Sequence, residues 1–407
     1  MLRHPYPAPL ALSLCAGLAL GQGALEGTLR QAAEKAGLDI GFAATSFQLT
    51  GGYGETAGTH FNLIVSEKEL HFLAAHPARD RFSFSGGDKL YAWGEANGVR
   101  LRGHAFVWPA QSGWVAGTPA TREGRLAVLK THIDSVGGHF KGKAAEWIVV
   151  NEILSDAGTG GGNPLRASDW RLYIGEDFAD SAFVYARRAD PYAKLYYNDY
   201  GGENANSKSD AMLNLAARWI RNGIPNDGIG LECHLAGPVD MQSISANIKR
   251  FGELGLRVSL SEVDIKNGTA EDWANVMAAC LENFNCTSFV TWGLHDGTSW
   301  LGSNCGCLLF ADSTRPKAAV QALIDLMNNA DPEVAAKRKD FVQEPSVPLL
   351  PPPRAVRALR PRDGGFFLSA DGALSFPDGS AAVDALGRHR IMAPGIPGAS
   401  GLLIPLR

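Results

Sequence analysis

The sequence predicts an α/β fold, a (β/α)8 barrel of the TIM type with a short C-terminal appendage. Three observations point there. Between about residues 25 and 329, short apolar runs alternate with stretches whose apolar residues recur at helical spacing. Two of those runs, Trp147-Ile148-Val149-Val150 and Leu256-Arg257-Val258-Ser259-Leu260, stop at Asn151-Glu152 and at Ser261-Glu262. Parallel barrels place their reactive groups at strand C-termini in this way. No glycine-rich phosphate loop follows the first strand, which argues against an open doubly wound sheet.

In chain order, Arg3 and His4 precede an apolar run from Ala8 to Leu20, and Ala19-Leu20-Gly21 supplies small residues for cleavage. Residues 1–22 therefore read as a secretory signal, too short for a membrane span. The barrel occupies 23–330, with strands expected at Asp39–Ala44, Phe61–Val65, Arg100–Trp108, Glu146–Glu152, Ala193–Asp199, Gly228–His234, Arg257–Asp264 and Ser288–Leu294. Leu126, Leu129, Ile133 and Val136 form a helical stripe after Thr118-Pro119, a cap followed by a first-turn proline. Phe178, Ala182, Tyr185 and Ala189 form another, ended by Asp190-Pro191. Further stripes run through Met212, Leu215, Trp219 and Ile220, and through Trp273, Met277, Cys280, Leu281 and Phe284. Pro316 opens a last helix carrying Val320, Leu323, Ile324 and Met327. Residues 331–356 read as a linker, because five prolines fall between Gln343 and Arg354. Residues 357–407 read as a small module or tail, a candidate for surface attachment.

A chain of 407 residues is long for one core, so a large domain with an appendage is expected. A net charge of -4 gives no reason to expect nucleic acid or an anionic membrane as partner. Of the six cysteines, Cys15 lies in the signal, leaving five, an odd number in an oxidising compartment. Cys280 and Cys286 are close enough in sequence to close a small loop. Cys233, inside an apolar strand, reads as a free core thiol. Cys305 and Cys307 read as loop thiols or a disulfide, since no His or Cys partner nearby completes a metal site.

In a barrel the ends of different strands become neighbours. They carry Glu67 with Lys68; His104, Trp108 and Gln111; Asn151 with Glu152; Asn198 with Asp199; Glu232 with His234; Glu262 with Asp264; and Trp292 with His295 and Asp296. Indoles stack on pyranose rings, while amides and carboxylates bond hydroxyls, so the set suits a polysaccharide or oligosaccharide. The acids could in principle hold a cation; two strand-end glutamates make acid/base work the better reading, with no metal or cofactor. His60, His76, His132 and His139 read as packing or surface histidines.

Arg102-Gly103-His104-Ala105-Phe106-Val107-Trp108, Trp147 to Asn151-Glu152, Tyr196-Tyr197-Asn198-Asp199-Tyr200, Asp227-Gly228-Ile229-Gly230, Ser261-Glu262-Val263-Asp264-Ile265, Thr291-Trp292-Gly293 and Ser299-Trp300 resemble, in order, the motifs of glycoside hydrolase family 10, the retaining endo-β-1,4-xylanases. The similarity runs from about Gly37 to Met327, and the tail lies outside it. It implies that Glu152 is the general acid/base and Glu262 the nucleophile, with carboxyls about 5–5.5 Å apart as retention requires. It implies that Asn151 holds the 2-hydroxyl of the reacting sugar, that His234 and Asp264 orient Glu262, and that Trp292 and Trp300 wall the cleft. It places His104, Trp108, Gln111, Lys68, His71, Glu232 and His234 against substrate. The Cys280/Cys286 spacing resembles a disulfide of some members. A secreted monomer is expected, extracellular or periplasmic.

The departures from that family pattern cluster around the reacting sugar. A sugar-binding Asn and Lys are here Lys68 and His71, a cleft His is Pro109, and a neutral Gln is Glu232. A third carboxylate near Glu262 should raise one pKa of the cluster, unless Lys68 reaches across to offset it. The expectation is a changed subsite for the reacting sugar, preferring something other than plain xylose.

Overall fold

The computed structural model describes residues 25–156 and 164–343, together with four two-residue strands between 367 and 390. The predicted signal and residues 344–356 of the predicted linker lie outside the described residues. Of the appendage, the structure describes two ribbons, Phe367–Leu368 with Leu374–Ser375 and Ala382–Val383 with His389–Arg390.

The strands are β1 Asp39–Ala44, β2 Leu63–Ser66, β3 Arg100–Gly103, β4 Ala144–Asn151, β5 Lys194–Asp199, β6 Gly228–Leu231, β7 His234–Ala236, β8 Arg257–Lys266 and β9 Cys286–Thr291. Each pairs in parallel with its neighbour, β6 pairs with β8 and β9 with β1, so eight strands close into a barrel. The short β7 prolongs the line of β6 and pairs with the far end of β8, His234 opposite Asp264. The predicted strand at 228–234 therefore breaks in two. Cys233 takes a left-handed backbone, φ 60°, where the break falls.

The helices are α1 Leu29–Ala36, α2 Gly51–His60, α3 Phe72–Ala75, α4 Ser85–Asn97, α5 Arg122–His139, α6 Asp169–Ile174, α7 Phe178–Ala189, α8 Ser207–Arg221, α9 Met241–Gly252, α10 Ala270–Leu281, α11 Ala318–Asn328 and α12 Pro332–Gln343. α5 starts one turn later than predicted, because Thr121 rather than Thr118 accepts the capping bond, from the Gly124 N–H. One large apolar cluster fills the space between barrel and helices. Inside the barrel, Ala43, Leu63, Val65 and Val290 form a small separate layer packed against Trp292. The interior also holds a buried cation. Arg102 on β3 bonds Glu146 on β4 (Nε–Oε2 2.7 Å), Ser259 on β8 (3.0 Å) and Ser288 on β9 (2.9 Å), tying four strands at one level.

The linker boundary at 331 needs correction. Residues 332–343 form α12 and pack on the barrel, with Arg338 wholly buried. A polar, lysine-rich stretch hides this anchor, because the anchor is a hydrogen-bonded guanidinium rather than an apolar stripe.

His132 on α5 is fully buried and stacked on Phe72, ring centroids 4.1 Å apart. Neither ring nitrogen has a hydrogen-bond partner among the described residues. Burial, with His76 beside it, holds its pKa well below 6.5. The unfolded chain takes up a proton near its ordinary value of about 6.5, which the folded state refuses until the pH is much lower. Stability is thus fully present above that value and is lost as pH falls below it. His132→Phe keeps the ring stack and removes the proton site. In urea unfolding at about pH 7.5 and about pH 5, the variant should lose less stability than wild type on acidification. Equal losses would overturn the assignment; His60 and His71, held down to about 4 and about 3, keep a residual slope in both proteins.

Candidate active site

The C-terminal ends of the strands bring the two glutamates to one place. Glu152 follows β4 directly; its N–H bonds the Asn198 carbonyl (2.9 Å), while its backbone turns left-handed at φ 52°. That conformation costs a non-glycine residue about 1–3 kcal/mol and takes the chain out of the ladder where the acid stands. Glu262 lies within β8, its N–H on the Glu232 carbonyl (3.0 Å).

Two amides link the acids. Asn198, at the end of β5, donates from Nδ2 to Glu262 Oε1 (2.8 Å) and to Asn151 Oδ1 (2.7 Å), and Asn151 Nδ2 donates to Glu152 Oε1 (3.3 Å). Asn198 is held in turn by Ser261, whose hydroxyl donates to its Oδ1. It also needs Gly230 beneath it, since a Cβ there would sit 2.0 Å from that oxygen.

Around Glu262 the donors converge. His104 Nε2 lies 3.1 Å from Oε1, and His234 Nε2 lies 3.3 Å from Oε2. His234 Nδ1 faces Asp264 Oδ2 at 3.0 Å, and that oxygen also accepts the Trp300 indole N–H (2.7 Å). Glu232 is buried beside them. Its Oε1 is 3.0 Å from Asn198 Nδ2 and its Oε2 3.5 Å from His234 Nε2. One carboxylate oxygen each of Glu232 and Glu262 and a ring nitrogen of His234 all lie within 4.8 Å of one another.

The environments separate the acids electrostatically. Burial raises the Glu152 pKa and the charge on Glu262 adds to it, against the opposing pull of Trp108 and Arg166. Burial would also raise Glu262, but hydrogen bonds from His104 and His234 outweigh it and hold the carboxyl below its usual range. Glu232 is pushed far above that range by burial, then by Glu262, Glu152, Asp199 and Glu203. His234 resists its own burial through Asp264 and Glu262 and rises to about 10, so it is an imidazolium near neutral pH. The two acids are thus pushed apart, Glu152 toward its protonated form and Glu262 toward its ionised form, which divides acid from nucleophile.

The other predicted residues fall as follows. His71 Nε2 lies 2.9 Å from His104 Nδ1, completing a line His71–His104–Glu262. Burial and His104 lower its pKa to about 3. Trp108 packs edge-on to His71 (5.7 Å), and Trp292 edge-on to His104 (5.3 Å). The Trp108 indole N–H has no partner of good geometry among the described residues, though it is near enough to Glu152 to lower its pKa. Gln111 keeps a buried Oε1 with no partner among the described residues. Trp300 stands at 5.1 Å from the His234 ring and is 58% exposed. Lys68 does not reach across: its side chain is 71% exposed and its Nζ pairs with the adjacent Glu67 (3.1 Å). Cys280 is bonded to Cys286, Cys305 to Cys307, and Cys233 is a buried free thiol.

Two contributors had no role assigned from sequence. Asn198 is the amide hub; its place at a strand end and within the Tyr196–Tyr200 motif marked the position but not the role. Arg166, in the connection between β4 and α6, has Nη1 3.9 Å from Glu152 Oε2 and bonds the Tyr200 hydroxyl (2.6 Å). It stands outside any strand end, so no spacing rule finds it.

A parallel barrel whose strand ends hold two acids with pKa values shifted in opposite directions, joined through two amides and flanked by indoles, defines a glycoside hydrolase. The sequence agrees. Residues 28–326 match the model of glycosyl hydrolase family 10, and the chain belongs to that family. It is 32% identical to an endo-1,4-beta-xylanase B of Thermotoga neapolitana over 340 residues, 78% of this chain and 97% of that one. It is 34% identical to an endo-1,4-beta-xylanase 2 of Claviceps purpurea over 275 residues, 67% and 82% of the two chains. The crystal structure of xylanase 10B from Thermotoga petrophila RKU-1 in complex with xylobiose superposes with a TM-score of 0.69 at 34% identity, covering 75% of this chain and 98% of that one.

Proposed function

We propose that the chain is a secreted enzyme that hydrolyses β-1,4-xylosidic linkages in xylan by double displacement with retention. The observation that carries this reading is the bonded path Glu152–Asn151–Asn198–Glu262, which ties the two carboxyls into one cluster with their pKa values shifted in opposite directions. Family membership and relatives named as xylanases support the substrate class.

In the first step Glu262 attacks the anomeric carbon while the Glu152 proton passes to the departing glycosidic oxygen. His104, Asn198 and His234 keep the nucleophile ionised and aimed until it forms the ester. In the second, Glu152 takes a proton from water, which attacks the same carbon and frees Glu262. Trp292 and Trp300 offer apolar ring faces beside this point. The signal-like N-terminus and the two disulfides support secretion. His71, bonded to His104 rather than free in the cleft, supports an altered wall for the reacting sugar.

Proton NMR during hydrolysis of xylo-oligosaccharides tests the chemistry. The β-anomer of the product should appear first and mutarotate later; an α-anomer appearing first would show inversion and end the proposal. The same reaction run over a panel of β-linked glycans reads the sugar preference.

A further inference from the structure

We infer that Glu232 is a positioning residue that carries the nucleophile cluster's proton: it shares Asn198 and His234 with Glu262, stays protonated while Glu262 is ionised, and becomes the counter-charge of His234 once Glu262 is esterified. The inference rests on the double-displacement reading.

It begins with a count of donors. Asn198 Nδ2 faces three oxygens, on Asn151 (2.7 Å), Glu262 (2.8 Å) and Glu232 (3.0 Å), and an amide nitrogen has two protons. Turning the amide round would set its oxygen against the Glu262 carboxylate, so Nδ2 stays on this side and Oδ1 accepts from Ser261. His234 Nε2 has one proton and two facing oxygens, on Glu262 (3.3 Å) and on Glu232 (3.5 Å). At both shared donors Glu232 has the longer contact. Among the described residues these are the two donors that meet its side chain, and its burial leaves an ionised form without enough protons to accept. A carboxyl that keeps its own proton needs fewer.

The charges around it act in the same direction. Facing Glu232 are Glu262 on β8, Asp199 on β5, Glu203 beyond β5 and Glu152 after β4, while Asp264 on β8 stands on the other nitrogen of His234. Against them stands the His234 imidazolium; Lys208 is committed to Asp199 (2.9 Å). Glu203 is occupied as acceptor for the Gly201 and Cys233 N–H groups.

Glycosylation changes this balance. When Glu262 bonds to the anomeric carbon, the glycosidic C–O bond breaks, the leaving oxygen takes the Glu152 proton, and Glu262 becomes a neutral ester. His234 keeps Asp264 at Nδ1, and the carboxyl still within reach of Nε2 is Glu232. The Glu232 O–H bond then gives its proton to solvent and leaves a carboxylate facing the imidazolium. When water cleaves the ester and Glu262 regains its charge, Glu232 takes a proton back.

The full-length enzyme can be trapped with a 2,4-dinitrophenyl 2-deoxy-2-fluoro-β-xylobioside, whose leaving group departs as an anion without help from an acid. Protons released near neutral pH are counted with an indicator dye against adducts counted by intact mass. Glu152 also loses its proton once Glu262 is neutralised, so the variants isolate Glu232. Glu232→Gln should form the same adduct while releasing one proton fewer than wild type. Glu152→Gln should still release one proton per adduct. Equal release by wild type and Glu232→Gln, or none from Glu152→Gln, overturns the inference with the adduct in hand. The second variant decides the matter even if the first does not fold. Failure of the wild type to form any adduct on Glu262 is a separate result, which removes the double-displacement reading and this inference with it.

Discussion

Replacing Glu262 with alanine is expected to lower turnover of xylo-oligosaccharides on the order of 10⁴-fold or more, the scale at which a covalent nucleophile is missed. Asn198, His104 and His234 then face a void where a carboxylate stood. Those donors are built for an anion, so a small one such as azide or formate should enter with an activated aryl β-xyloside as substrate. Azide attacks from the side that Glu262 used and stays on the sugar, so the product is an α-glycosyl azide, inverted where the wild type retains. The change should leave the fold intact, because the Glu262 backbone keeps its bond to the Glu232 carbonyl. Rate measurements with and without azide, with the product's anomeric configuration, check this. A variant that retains a tenth of wild-type turnover, or makes no azide adduct, would exclude Glu262 as the nucleophile. A barrel that only binds glycans would show no nucleophile-dependent turnover at all.

Much of this site was legible in the sequence because a parallel barrel turns linear order into spatial order. Once Val150 and Leu260 are read as closing the apolar runs that lead into the two glutamates on buried strands, Glu152 and Glu262 must emerge on the same rim. His104, His234 and Trp292 follow from the same rule. Direction was harder to read than position. Lys68 is two residues past β2, yet its flexible stem runs to solvent and pairs with Glu67, because no buried carboxylate draws it inward strongly enough to offset desolvation. The Asn198 role could not be read, since an amide's importance lies in which acceptors meet it. α2 was unreadable for another reason. Its Gly51, Gly52, Gly54 and Gly58 have poor helix propensity, and the helix stands because Tyr53, Ala57 and His60 pack inward. The bond between Cys305 and Cys307, left open by their spacing, is formed in the structure.

The largest expected loss of stability comes from a residue far from the chemistry. Arg338 on α12 is wholly buried, and among the described residues no carboxylate pairs with it: its guanidinium donates to five backbone carbonyls. Nε bonds Cys286 (2.7 Å) and Nη1 bonds Ala36 (2.7 Å), while Nη2 faces Cys280 (3.2 Å), Leu281 (3.0 Å) and Asn283 (3.1 Å). Ala36 ends α1, and Cys280 and Leu281 end α10. The carbonyls left over at helix C-termini, where the helix dipole is negative, thus supply the partner that an acid would otherwise provide. Burial alone lowers its pKa to about 10, so it stays charged at any pH at which the protein works. The approach is close enough to require Gly37 in a left-handed turn at φ 70°, because a Cβ there would lie 2.6 Å from Lys339. Arg338→Met keeps much of the volume and removes every donor; the Cys280 and Asn283 carbonyls keep backbone partners, while those of Ala36 and Leu281 lose the guanidinium, at about 1–3 kcal/mol for each one that finds no water. A loss of about 3 kcal/mol corresponds to a fall in Tm of roughly 6–12 °C at the 2–4 °C per kcal/mol of larger domains. Arg338→Lys should recover part of it, since an ammonium has three donors and a shorter reach. Calorimetry of wild type and both variants measures the effect, and a Tm for Arg338→Met within a degree of wild type would mean that α12 is merely laid on the barrel. The anchor fastens α12 to the α10–β9 connection, the loop that Cys280 and Cys286 also close. Reducing the disulfide in the Met variant should therefore cost more than reducing it in wild type, because residues that share one loop do not act additively.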